Sequence, residues 1–141
     1  MTINELKIAC YLYERFTSYD KDYRNLRSAE RLNLCEREHT EKLLKWLRSW
    51  GCRQFKKEDT ELSIKNLKDW YSKDSELLPG HLLQLLDGDR TVLDLTINIF
   101  DRLRNTKISE RYNSTSDVTV GPVGAAKILF ALRPYFYSPW V

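Results

Sequence analysis

Two stretches of this 141-residue sequence carry residue types that could do chemistry. The first is cationic and aromatic. Lys42, Lys45, Arg48, Arg53, Lys56 and Lys57 follow one another with no acid between positions 42 and 57, and Trp46, Trp50 and Phe55 interleave with them. On a helix, Lys42, Lys45 and Arg48 step by three and form one cationic stripe beside Leu43, Leu44, Leu47 and Trp50. Such a stripe suits a polyanion: cations on phosphates release counterions, and an exposed aromatic stacks on a base. The same residues also fit a solvated helix face whose acids come from elsewhere in the fold, with Trp46 and Trp50 in the core.

The second stretch runs Val118-Thr119-Val120-Gly121-Pro122-Val123-Gly124-Ala125-Ala126-Lys127 and reads as a glycine turn opening a helix. Glycine admits positive φ and close backbone approach, and the first N–H groups of a helix attract an anion. Gly121, Val123 and Gly124 are therefore candidate backbone contacts to a phosphate, with Lys127 one turn further in. The competing reading is a plain Gly-Pro helix start whose small residues serve packing.

Other chemistries find less support. The cysteines (Cys10, Cys35, Cys52) are odd in number and contain no Cys-x-x-Cys pair, and the two histidines, His39 and His81, lack ligand spacing. Structural zinc needs four such ligands, normally in close pairs, so no metal is expected. Cys35 and His39 sit four apart and could share a helix face, as a packed thiol beside a surface imidazole or as a metal or redox pair, the former being favoured. No Gly-x-Ser-x-Gly occurs and the carboxylates are scattered, so an enzyme of unrelated type is the least favoured reading, and no cofactor is expected.

The elements that must position these residues are helices. The composition, 42% hydrophobic with 12% aromatic and 30% charged, excludes a chain that stays disordered. No apolar run long enough for a membrane span is present, and the N-terminus lacks a signal-peptide pattern. Free thiols then point to a reducing, cytoplasmic setting. Five glycines and four prolines are too few for a turn-rich β fold. Thr2 and Glu5 form a capping box for a first helix ending near Thr17-Ser18, followed by a polar link at Tyr19-Asp20-Lys21-Asp22. A second helix begins near Leu26 or Ser28, either continuing to Trp50 or giving way to a separate helix capped by Thr40, and Gly51 stops it. Further helices are expected from Thr60, over His81 to Leu86, over Thr91 to Leu103, and from Pro122-Val123 to Arg133. Residues 112–119 read as a polar linker. The expectation is one all-α domain over 1–141 with six or seven helices.

The glycine turn also resembles the helix-hairpin-helix segment of the base-excision DNA glycosylase superfamily, the endonuclease III and oxoguanine glycosylase kind. Val120-Gly121 matches that family's Val-Gly, Ala125 its alanine, and Ile128-Leu129 its helix interior, so the resemblance spans residues 119–141. It implies a hairpin holding a DNA backbone phosphate. The departures imply loss of catalysis: the family's aspartate aligns with Val141, the lysine nucleophile of bifunctional members with Val123, and Val118-Thr119 lacks the glycine of Leu-Pro-Gly. The family fold continues beyond that aspartate, so the chain reads either as the N-terminal part of a longer protein or as a scaffold without its catalytic site. The helical run and terminal Pro-Trp are also similar to uncharacterised prokaryotic helical proteins.

Two functions follow. One is a catalytically silent domain binding DNA or RNA through Gly121, Val123, Gly124 and Lys127 and through the cations between 42 and 57. The other is an interaction or regulatory subunit of a bacterial assembly, such as a defence or toxin–antitoxin system. Its tail residues Tyr135, Phe136, Tyr137 and Trp140 would be the aromatic anchor.

Overall fold

The computed structural model describes residues 19–28, 31–78, 90–111 and 116–134, with scattered positions before residue 13. At the start of the chain the capping box forms: Thr2 donates its backbone N–H to Glu5 Oε2 (2.6 Å), and Glu5 donates its own to Thr2 Oγ1 (3.3 Å). The described positions from 3 to 12 are helical.

Five α-helices and one 3₁₀ turn follow among the described residues: α1 (Tyr19–Arg27), α2 (Arg37–Ser49), α3 (Thr60–Asp74), the 3₁₀ turn (Ser75–Leu77), α4 (Arg90–Arg104) and α5 (Gly121–Leu132). Between α4 and α5 lie two strands, β1 (Lys107–Glu110) and β2 (Asp117–Thr119), paired antiparallel with a bulge between Lys107 and Ser109. The fold is thus mostly helical, with five bounded α-helices among the described residues where six or seven are expected for the whole chain, and with a small ribbon that an all-α reading omits.

α2 sits at the centre, against α1, α3 and α5. Its apolar stripe buries Leu43, Leu44, Trp46 and Leu47. It ends in a Schellman motif: Gly51, at φ 78°, donates to the Arg48 carbonyl (2.9 Å), and Cys52 donates to that of Leu47 (3.1 Å). Leu47 and Cys52 are both buried, which completes the apolar contact usual in this cap. An aromatic cluster then joins three helices, with Tyr23 of α1 5.5 Å from Trp46 and stacked on Phe130 of α5 at 5.7 Å.

Several boundaries differ from the sequence reading. The polar link Tyr19–Asp22 is the first turn of α1, where Asp20 and Asp22 complement the helix dipole while Leu26 enters the core. Thr40 does not cap a separate helix; it lies inside α2 and donates its hydroxyl to the Leu34 carbonyl at 3.1 Å. Part of the linker, residues 117–119, is strand β2. β1 is held by α3, because Ser63 Oγ donates to the Ile108 carbonyl (2.9 Å) and Asn66 Nδ2 to that of Lys107 (2.9 Å). These side chains cover strand groups that would otherwise be an open edge.

α4 has the expected extent but not the expected burial. Ile99 and Leu103 are buried, while Leu93 is 53% and Ile97 48% exposed. No helix among the described residues is long and apolar enough to cross a membrane. Cys10, the expected helix over His81 to Leu86, and the tail residues Tyr135, Phe136, Tyr137, Trp140 and Val141 lie outside the described residues.

Candidate functional site

α2 carries the cationic stripe along one edge of a groove. Lys45 and Asp22 line two adjoining hollows, which therefore run together. The smaller, about 250 Å³, lies towards α1 and is completed by Asn25, Ser28 and Lys42. The larger, about 600 Å³, reaches the start of α3 and is completed by Arg48, Ser49, Lys57, Thr60 and Glu41.

The six cations named from sequence do different things. Lys42 pairs with Glu38 one turn back (2.8 Å), holding the Glu38 carboxyl below its usual range. Lys45 reaches Asp22 at 3.2 Å; this carboxylate is only 4% exposed, so the lysine neutralises a buried charge. Arg48 donates from Nε to the Phe55 carbonyl (2.8 Å) and from Nη2 to Thr60 Oγ1 (2.7 Å) and the Lys56 carbonyl (3.4 Å). None of these acceptors is charged. Burial lowers the Arg48 pKa, while Glu58 opposes that through space without forming an ion pair. Lys56 turns away and donates to the Glu110 carbonyl at 3.1 Å. Arg53 and Lys57 are exposed, and neither forms an ion pair among the described residues.

The glycine turn meets the basic stretch from the other side. Gly121, at φ 70°, opens α5 directly after β2, so the turn joins a strand to a helix. Gln54 Nε2 donates to the Val120 carbonyl (3.0 Å). A side chain at Gly124 would lie 3.2 Å from the Phe55 ring, so that ring packs on the glycine. Phe55 thereby links both features, its carbonyl holding Arg48 and its ring covering Gly124. Val123 is exposed beside the turn. Lys127 is not: it is 6% exposed, with Nζ 3.1 Å from the centre of the Trp50 ring. Its ammonium faces an aromatic ring inside the fold, away from the role of solvent-facing phosphate ligand expected from its position. Trp46 is core, as one reading of the stripe has it.

Cys35 is exposed with its Sγ 3.5 Å from Ser72 Oγ, while His39 Nδ1 accepts the Asn33 backbone N–H (3.2 Å). No group of three or more His, Cys, Asp or Glu among the described residues is placed to hold a metal ion.

Asp22, Asn25, Ser28, Glu41 and Ser49 line the groove without having been singled out for it from the sequence, which gave Thr60 only the role of starting a helix. The paired acids of the first turn of α1 were the one available signal for Asp22. Comparison with protein-family models, with curated proteins and with solved structures gives no match.

Proposed function

We propose that this chain is a nucleic-acid-binding domain that acts by binding rather than by catalysis. One observation carries this: Lys42, Lys45, Arg48 and Lys57 line a single groove, and Arg48 and Lys57 have no carboxylate partner among the described residues. Cations without acids of their own are the groups that gain most from a phosphate backbone. Asn25 and Ser28 add neutral polar groups along the same track. The turn at Gly121 supports a second contact through backbone alone, since Lys127 is engaged with Trp50. Catalysis is disfavoured by the state of the acids. Asp22 and Glu41, the two carboxylates in the groove, are held by Lys45 and Arg37, which suits charge balance better than proton transfer.

The test is fluorescence anisotropy of labelled single- and double-stranded DNA across a salt series. Four phosphate contacts on a single strand give a slope of log K against log salt of about −3. Flat or absent binding at low salt would remove the reading. It would leave the second one, a subunit of a larger assembly, which the adjacent exposed Leu93 and Ile97 on α4 favour.

A further inference from the structure

The two ends of the groove are not alike. At the α1 end each lysine has an acid, Lys42 with Glu38 and Lys45 with Asp22. At the α3 end Arg48 and Lys57 have none, and the groove opens into its larger hollow of about 600 Å³, within the size range of pockets for small ligands. Five acids lie around this end: Asp22, held by Lys45; Asp59, which accepts the Ser109 hydroxyl; and Glu41, Glu58 and Glu61. Glu41 is held by Arg37, which also pairs with the exposed Glu61, and Glu58 acts on Arg48 only through space. The surplus of that carboxylate–arginine cluster is water-facing and screened, whereas Arg48 is half-buried.

The donors left over at this end are specific. Nε and Nη2 of Arg48 are committed to Phe55, Lys56 and Thr60, while Nη1 has no acceptor among the described residues. The Lys57 ammonium is uncommitted as well. The hydroxyls of Ser49 and Thr60 both donate to backbone carbonyls, of Trp46 and Lys57, so the cations rather than the hydroxyls would hold a ligand. Thr60 also begins α3, whose N-cap residue Asp59 makes no side-chain cap and instead accepts the Ser109 hydroxyl at 2.5 Å. The Asp59 carboxylate and Glu61 in the first turn offset the positive end of that helix, so the positive field at the hollow comes from Arg48 and Lys57.

A phosphodiester inside a strand carries one negative charge, while a terminal phosphomonoester carries about 1.5 to 2 and three strong acceptor oxygens. We infer that the hollow between Arg48, Lys57 and the start of α3 is a pocket for the terminal phosphate of a nucleic-acid strand, with the remaining groove tracking the backbone that leads to it. This rests on the nucleic-acid reading above and names the part of the strand that is selected.

The test uses one single-stranded oligonucleotide, internally labelled, in three forms: 5′-phosphate, 3′-phosphate, and hydroxyl at both ends. One phosphorylated form should bind at least about tenfold tighter than the hydroxyl form, as charge-assisted hydrogen bonds to a dianion predict. Which form gains assigns the end. K57Q, at an exposed position, should remove most of that preference while its circular dichroism stays unchanged, and R48K should do the same. Equal affinity for all three strands overturns the pocket and leaves the groove standing. Absence of binding by any strand overturns both. A preference that survives in K57Q and in folded R48K overturns the assignment to this hollow.

Discussion

Lys127 holds its ammonium 3.1 Å from the centre of the Trp50 ring. The lysine comes from the middle of α5, where Ala125, Ala126, Ile128 and Leu129 are all buried, and the tryptophan from the C-terminal cap of α2. An ammonium taken from water without a carboxylate is costly, and a desolvated ring face offsets about 2 kcal/mol of that cost. Burial lowers the Lys127 pKa, and it raises that of the nearby Cys52 thiol. The contact therefore belongs to the packing of α2 against α5.

Removing either partner should have unequal effects. W50A strips the ring from a buried cation and leaves a cavity, so a loss of about 3 kcal/mol is expected. K127M keeps the stem and discards the charge, so its stability at pH 7 should stay within about 1 kcal/mol of the wild type or exceed it. Because the folded pKa of Lys127 is depressed, the unfolded chain binds more protons as pH approaches 10.5, and this group makes stability rise with pH there. Urea denaturation at pH 7 and pH 10 should show that rise reduced in K127M. An unchanged rise would mean the ammonium is solvated.

Lys107 titrates in the opposite sense. Its Nζ contacts Asp117 Oδ1 and Glu110 Oε1, each at 2.7 Å, and so ties β2 to β1. The hydrogen bonds to Asp117 and then Glu110 push its pKa up from 10.5 to about 12. A base raised by folding contributes fully below 10.5 and loses that contribution as pH passes through about 12. Stability measured from pH 9 to pH 12 should fall more in the wild type than in K107M. Equal falls would show that water already screens this exposed tether.

Gly124 is fixed by space. A methyl group there would lie 3.1 Å from Val120 Cγ1 and 3.2 Å from both Gln54 Nε2 and Phe55 Cε2. Helix propensity favours alanine by about 1 kcal/mol, while overpacking a tight core costs about 1–3 kcal/mol. Val120 and Phe55 are essentially fully buried and have nowhere to move, so G124A should be destabilised by about 1 kcal/mol in chemical denaturation. A more stable variant would show that the Gln54 side chain simply swings aside.

Local signals were legible in the sequence, and long-range ones were not. The Thr2–Glu5 capping box and the Gly51 stop are set by neighbours a few residues away, and both form. The start of α3 at Thr60 and the span of α4 follow from periodicity. The polar start of α1 was hidden because only a few of its nine residues, notably Asp22 and Leu26, turn inward. β1 and β2, at four and three residues, are too short to show a period and depend on Ser63 and Asn66 from α3. The cations of the stripe were visible, but their roles come from distant partners: Asp22 for Lys45, and Phe55 with Thr60 for Arg48. Apolar character at Leu93 and Ile97 says what can be buried, not what is.

Lys45 joins the fold to the proposed binding surface, and a double substitution separates the two. Its ammonium is mostly exposed, yet it is the ion-pair partner of Asp22, which is 4% exposed. K45Q leaves that carboxylate buried without its cation. Losing one partner of a fully buried pair costs about 3–5 kcal/mol, and the exposure of Lys45 reduces this to about 1–2 kcal/mol. D22N should repair the loss, because an amide at position 22 no longer needs a counter-charge. The D22N/K45Q double variant should therefore approach wild-type stability in urea while its affinity for single-stranded DNA stays reduced and its salt slope shallower by about 0.7. Recovery of affinity along with stability would mean that Lys45 acts only on the fold, and that the groove binds through Lys42, Arg48 and Lys57 alone.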